Sequence, residues 1–414
     1  MKKKLLGIAV TSVLLTVGMT GTAHAAVAAP TWVTANSNST GDQDVAAIAT
    51  NRTGYVAVVW EDDRDTTAPE DNAHSEIYLR LFRNGTAVYE KKLSAAGSSG
   101  VTNWRHLTPD VGLDDKGNAV VVWADDPDGN GYYNIPYRVV NTAGTVTASG
   151  SANSNSDGQQ IKPRVAVDPD GAPSTAAVAF TVAWEDIQTG TPATIKAAGF
   201  TGPTTRAWEV TASATTGQHH NPDVAVSASG DALVVWDDDA DANASYDVGL
   251  VRLARTNGAV NLSRRTANAT LTGEQTRASV AANFNGDFAV AWQSGTTTAT
   301  RSFTPTGTAR HADLQVATAA TLPSIGIDDQ ASTVVGWTTQ AADLDVWVRG
   351  FGPDGSSTGR LDAQRLSQLT DGRQEQLAVA VSPWSEVAVA YTDDNDGNTF
   401  DQIILGHSFA NNSW

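Results

Sequence analysis

Val-rich runs that end in an aromatic residue and then turn polar recur along this chain. They read VAVVWEDD (Val56–Asp63), VVVWADD (Val120–Asp126), FTVAWED (Phe180–Asp186), LVVWDDD (Leu233–Asp239), FAVAWQS (Phe288–Ser294), TVVGWTT (Thr333–Thr339) and VAVAYTDD (Val387–Asp394). The anchors Trp60, Trp123, Trp184, Trp236, Trp292, Trp337 and Tyr391 stand 63, 61, 52, 56, 45 and 54 residues apart. A fixed self-similar unit of this size is the mark of a repeat architecture.

Each unit carries strand signals and almost no helix signal. A first strand follows a Pro-x-Val or Pro-x-Ile step, as in PDVGLD at Pro109 and PSIGID at Pro323. A tight polar turn such as DDKGN (Asp114–Asn118) leads into the Val-rich second strand. A variable loop precedes a third strand, such as IYLRLF (Ile77–Phe82), and a Gly-bearing turn leads to a more polar fourth. Seven such units predict an all-β, seven-bladed β-propeller of four-stranded blades spanning 26–414. The last unit ends after its third strand, whereas TWVTANSNSTGDQD (Thr31–Asp44) reads as a fourth strand without the other three. The N-terminal strand is therefore expected to complete the seventh blade and remove its free edge.

Residues 1–25 are expected to be a secretory signal peptide. Lys2, Lys3 and Lys4 form a basic start, Leu5 to Val17 an apolar stretch, and Ala23-His24-Ala25 a small-residue cleavage site. The expected location is outside the cell. No later run reaches the roughly 18–20 apolar residues of a spanning helix, so a membrane is not an expected partner. With no cysteine, the chain has no disulfide, thiol catalysis or Cys-ligated metal. A net charge of −18 argues against nucleic acid, whose phosphates need clustered Lys and Arg.

The recurring anchor fits core packing between blades better than a sugar-stacking platform, because a position filled in every repeat serves the repeat. Two residues after it come Asp62, Asp125, Asp186, Asp238, Ser294, Thr339 and Asp393. Third-strand Arg80, Arg138, Arg252, Arg301 and Arg349 recur with them, which suggests a cross-strand ion pair. Counting back three from the Pro position gives His106, Gln160, His219, Gln275 and Gln374. This ring of amides and imidazoles is a candidate ligand-binding face, against the plainer reading that they cap the first strands. Asp237, Asp239 and Asp241, in a loop richer in acid than the repeat demands, join them as candidates. Asp394, Asp396, Asn398 and Asp401 alternate oxygen-bearing side chains around a Gly and are the candidate calcium ligands, although they lack the bidentate Glu of a helix-loop-helix calcium loop.

No G-x-S-x-G, H-E-x-x-H, P-loop or sialidase-type S-x-D-x-G-x-T-W box occurs. With its seven W-x-D units and Ile-Tyr-x-Arg third strand, the chain resembles secreted bacterial seven-bladed propellers of the lectin-like kind. More narrowly, it is similar to the lectin-type component of the umbrella toxin particles of actinobacteria. That resemblance implies a targeting subunit of a larger antibacterial assembly, with glycans or a cell surface as partner. The leading expectation is a secreted, non-catalytic carbohydrate-binding protein rather than an enzyme, because polar loops are spread over many blades. Two alternatives stand beside it: a propeller glycosidase or polysaccharide lyase using two loop carboxylates, and a protein–protein scaffold in a secreted complex.

Overall fold

The computed structural model of the protein describes residues 31–65, 74–95, 97–98, 101, 104–172, 177–340, 344–367, 372–394 and 401–410. The expected signal segment, 1–25, lies outside the described residues. So do Asp396 and Asn398 of the expected calcium loop.

Among the described residues the strands form seven antiparallel sheets of four, as the repeat predicts. Blades one to seven begin with the inner strands Gln43–Thr50, Arg105–Leu113, Gln159–Val167, Gln218–Val226, Gln275–Ala282, Ala320–Ile327 and Gln374–Val381. These inner strands touch their neighbours in an unbroken ring, the first packing on the seventh. The seventh blade is closed by Thr31–Thr34, which pairs antiparallel with Gln402–Ala410 from Thr31↔His407 to Thr34↔Ile404. Trp32 lies flat on Gly406, where an added Cβ would meet the indole at 2.3 Å. Only a residue without a side chain admits that close approach.

The second strands are buried on both faces, so they read as continuous Val and Ala runs rather than alternating ones. Their anchors are 0–5% exposed and pack into clusters shared by adjacent blades. Trp60, for example, packs with Ala388, Ala390 and Ile403 of blade seven. Core packing is thus the role of the anchor.

Every inner strand carries a bulge at one position, held by a non-glycine residue in the left-handed region. These are Val45, Thr108, Lys162, Asn221, Arg277, Leu322 and Gln376, with φ between 49° and 57°. The register to the second strand shifts at each of them, as between Asp44 and Ala47 and between Leu107 and Asp110. Such a bulge twists the strand and re-aims its backbone N–H. Thr108 N donates to Glu61 Oε1 of the preceding blade (2.6 Å), Asn221 N to Glu185 Oε2 (3.2 Å), and Val45 N to Gln376 Oε1 of blade seven (2.6 Å). The bulges therefore stitch blade to blade around one end of the central channel.

Candidate active site at the channel mouth

The channel encloses about 790 Å³ and is walled by the bulges and the residues after them, including Asp110, Lys162, Arg164, Asn221, Asp223, Arg277 and Gln376. Its far end narrows to a space of about 140 Å³ bordered by Arg52, Phe284 and Asp329. Arg52 of blade one reaches Asp329 of blade six at 2.8 Å and lies 3.9 Å over the Phe284 ring of blade five. The wider, bulge-ringed end is the mouth.

The five residues expected to form a polar ligand face do not form one. His106, Gln160, His219, Gln275 and Gln374 are 0–2% exposed and lie inside the blades. Each stands opposite the residue two after the anchor, as in His106↔Asp125 and His219↔Asp238. His106 Nδ1 bonds Asp125 (2.5 Å), His219 Nδ1 pairs with Asp238 (2.7 Å), and Gln160 Nε2 donates to Asp186 (3.2 Å). Trp292 Nε1 donates to Gln275 Oε1 at 3.0 Å. These side chains satisfy buried polar groups, which otherwise cost free energy. Gln43 holds the same position in blade one, opposite Asp62.

The recurring acid does not pair with the third-strand Arg. Asp62 accepts from the Trp60 indole (2.7 Å), and Asp238 from Trp236 (2.8 Å). In register Asp62 faces Glu76, four residues before Arg80, so the expected partners sit ~13 Å apart along the strand at ~3.3 Å per residue. Arg80 instead donates to the Ala35 carbonyl (2.7 Å).

The surplus acids of the 237–247 loop also have internal work. Asp237 is buried and accepts from Asn221 Nδ2 (2.6 Å). Burial pushes it up to about 6, against the pull of Asn221 and of the Arg277 and Ala278 N–H groups. Asp239, also buried, accepts from Asn243 N (2.9 Å) and Ala244 N (3.2 Å), while exposed Asp241 binds Asn243 Nδ2 (2.8 Å). Asp126, Asp128 and Asn130 repeat that loop in blade two. Among the described residues no group of three or more His, Asp or Glu side chains is placed to hold a metal ion. Of the four expected calcium ligands only Asp394 and Asp401 lie among the described residues.

What sequence reasoning missed is the seam between blades seven and one. Asp44 lies directly opposite Glu61 in register, on neighbouring strands and therefore on one face. The corresponding pairs in the other blades are Leu107 and Ala124, Ile161 and Glu185, His220 and Asp237, Thr276 and Gln293, Thr321 and Thr338, and Glu375 and Thr392. Acid faces acid in blade one alone. Asp401, one residue before the third strand of blade seven, accepts at its carbonyl from Gln43 N (3.1 Å) and donates its own N–H to Asp42 Oδ1 (3.1 Å). Asp401 is thereby held beside Asp44, both are half-buried, and Asp44 immediately precedes Val45 of the channel wall.

Electrostatics separates these groups. Burial, then the charges of Asp401, Asp42 and Glu375, push Asp44 up to about 7. Burial and Asp44 push the deeper Glu61 to about 8, against the Thr108 N–H and Arg105. Asp401 rises less, to about 6, through burial and the charges of Asp42, Asp394 and Glu375, with Arg373 opposing. On the other side of the mouth Glu185 goes the opposite way: burial raises it, but His220 (2.7 Å) and Lys162 (3.1 Å) outweigh burial and hold it below the ordinary carboxylate range.

No protein-family model matches the chain, and no curated protein is significantly similar to it. Solved structures do match in fold. An α-L-arabinofuranosidase of Fusarium graminearum in complex with an iminosugar inhibitor aligns with TM-score 0.51 at 10% identity, over 74% of this chain and 94% of that one. The same fungus's α-L-arabinofuranosidase with arabinobiose gives TM-score 0.50 at 10% identity over the same shares. A sialidase of Streptococcus pneumoniae reaches TM-score 0.48 at 8% identity, over 90% of this chain and 70% of that one. At such identities the likeness shows the propeller fold. It does not support the lectin-like or umbrella-particle part of the resemblance. The expectation that the chain is not an enzyme is contradicted by these matches, two of which, at TM-score 0.50–0.51, are α-L-arabinofuranosidases.

Proposed function

We propose that the protein is an exported glycoside hydrolase working at the mouth of its central channel. Asp44 is the general acid and Asp401 the second carboxylate. The observation that carries this reading is their juxtaposition at the seam: Asp44 faces Glu61 in register and sits beside Asp401, in the one blade where acid meets acid. Glycosidic cleavage needs one carboxyl that still holds a proton and one that has lost it. Two neighbouring carboxyls pushed to about 7 and about 6 supply that difference near neutrality. Glu61 stands behind Asp44 with Oε1 tied to the Thr108 N–H. It is a positioning residue that keeps the rim dry and fixed. The basic start at Lys2–Lys4 and the apolar stretch after it support export.

The test is release of new reducing ends from a panel of plant and microbial polysaccharides by the full chain. Wild type should cleave at least one, and Asp44→Asn should lose activity on the order of 10²–10⁴-fold with its far-UV dichroism unchanged. Failure of wild type on every polysaccharide, or full activity in Asp44→Asn, overturns the assignment.

A further inference from the structure

We propose that the saccharide taken by this channel carries a carboxylate, which Arg277 and Lys162 receive. The inference rests on reading the channel mouth as the saccharide site. The chain carries a net charge of −18, yet the channel wall holds three cations, Lys162, Arg164 and Arg277, against two acids, Asp110 and Asp223. Those two acids are already engaged. Asp110 Oδ2 accepts from Val165 N (2.7 Å), and Asp223 accepts from Val280 N (2.8 Å) and Val224 N (2.9 Å). Each also interacts electrostatically with Arg164, which stands between them in the ring and donates to the Pro163 carbonyl (2.9 Å).

Arg277 differs. It occupies the bulge of blade five, is exposed, and among the described residues no carboxylate lies within ion-pair distance of its guanidinium. Its backbone is fixed by the N–H bonded to Asp237, so the side chain starts from a defined point at the mouth. Lys162, at the bulge of blade three, pairs with Glu185 and Asn221 Oδ1 (2.8 Å) while its side chain stays 38% exposed. These two residues flank blade four, half the ring away from the Asp44–Asp401 seam. A saccharide cleaved at the seam therefore faces cations across the channel. A guanidinium matches a carboxylate with two parallel N–H···O bonds, an arrangement that a neutral hydroxyl cannot return. The substrate class that fits is a uronate-bearing oligosaccharide.

Titration calorimetry of the full-length Asp44→Asn variant tests this without turnover. The probes are tri-galacturonate and its fully methyl-esterified form, which keeps the sugar and removes the charge. Tri-galacturonate should bind about tenfold or more tightly than the ester, with affinity falling as salt is added. Arg277→Gln should erase the preference, and Gln fits the bulge because Gln376 holds the same position in blade seven at φ 57°. Equal binding of acid and ester, an undiminished preference in Arg277→Gln, or no binding of either overturns the proposal. Charge-selective binding by a protein whose wild type cleaves nothing would instead defeat the hydrolase reading and leave this one standing.

Discussion

Arg52 and Asp329 meet at 2.8 Å across the floor of the channel, joining the first blade to the sixth. The same arginine stacks on Phe284 of blade five, lies 3.6 Å from Asp115 of blade two, and accepts at its carbonyl from the Trp384 indole of blade seven (3.3 Å). A single side chain and its carbonyl thus touch four other blades. Among the described residues the inner strands pack on those of adjacent blades, whereas Arg52 also reaches blades five and six, so it is a clamp across the ring.

Arg52→Ala should therefore lower the free energy of unfolding by about 2 kcal/mol, the ion pair and cation–π contact being only partly exposed. Chemical denaturation should show a lower midpoint at unchanged slope. An unchanged midpoint would mean that the floor contacts add nothing to the ring.

The buried acids of blade one make stability depend on pH in an unusual direction. Folding raises Asp44, Glu61 and Asp63 to about 7, 8 and 7, from about 4 in an unfolded chain. A raised carboxyl favours the folded state in its protonated form. The stability these groups contribute is complete below about pH 4 and is lost as pH rises through 7 to 8. These groups are expected to weaken wild type progressively from about pH 4 to about pH 8, with no further loss from them above that. Glu61→Gln keeps an acceptor for the Thr108 N–H and removes the titrating group, so it should flatten that decline and gain on the order of 1–3 kcal/mol at the alkaline end. Unfolding midpoints across pH for the two proteins decide the matter, and parallel curves would refute it.

His219 is a strut and not a ligand contact. It is fully buried, with Nδ1 2.7 Å from Asp238 and Nε2 3.0 Å from the Thr216 carbonyl. His219→Ala removes a packed ring and leaves Asp238 with the Trp236 indole but without the imidazole, a loss of roughly 2–4 kcal/mol. Saccharide affinity of the folded fraction should not change. A mutant of native stability with lost affinity would restore the polar-face reading.

The propeller was legible because the repeat writes it seven times: an apolar second strand, an anchor buried in every copy, and an N-terminal segment shaped like the missing fourth strand. The candidate site was not, for the same reason. Counting back from Pro found His106, Gln160 and His219, which recur because every blade needs an internal partner for its hairpin. Blade one has Val45-Ala46 where blades two, three, four and six have a residue before Pro, so that count passed over Gln43 and Asp44. The signal was present in TGDQDV, aligned on the Gln of DGQQIK and DGRQEQ, once Glu61 is seen opposite. The depth of Asp237 and Asp239 was hidden as well. Acids in a polar run read as solvated, and only the bulge N–H groups of the next blade reveal a reason to bury one.

The most direct test of the seam as an active centre is the pH dependence of kcat/KM on the polysaccharide that wild type cleaves. A general acid near 7 and a second carboxylate near 6 predict a narrow bell whose maximum lies between them, falling on the alkaline side as Asp44 loses its proton. Asp44→Asn should leave a small residual rate without that alkaline limb. An alkaline limb that persists unchanged in Asp44→Asn would show that another group gives up the proton, and would contradict the account.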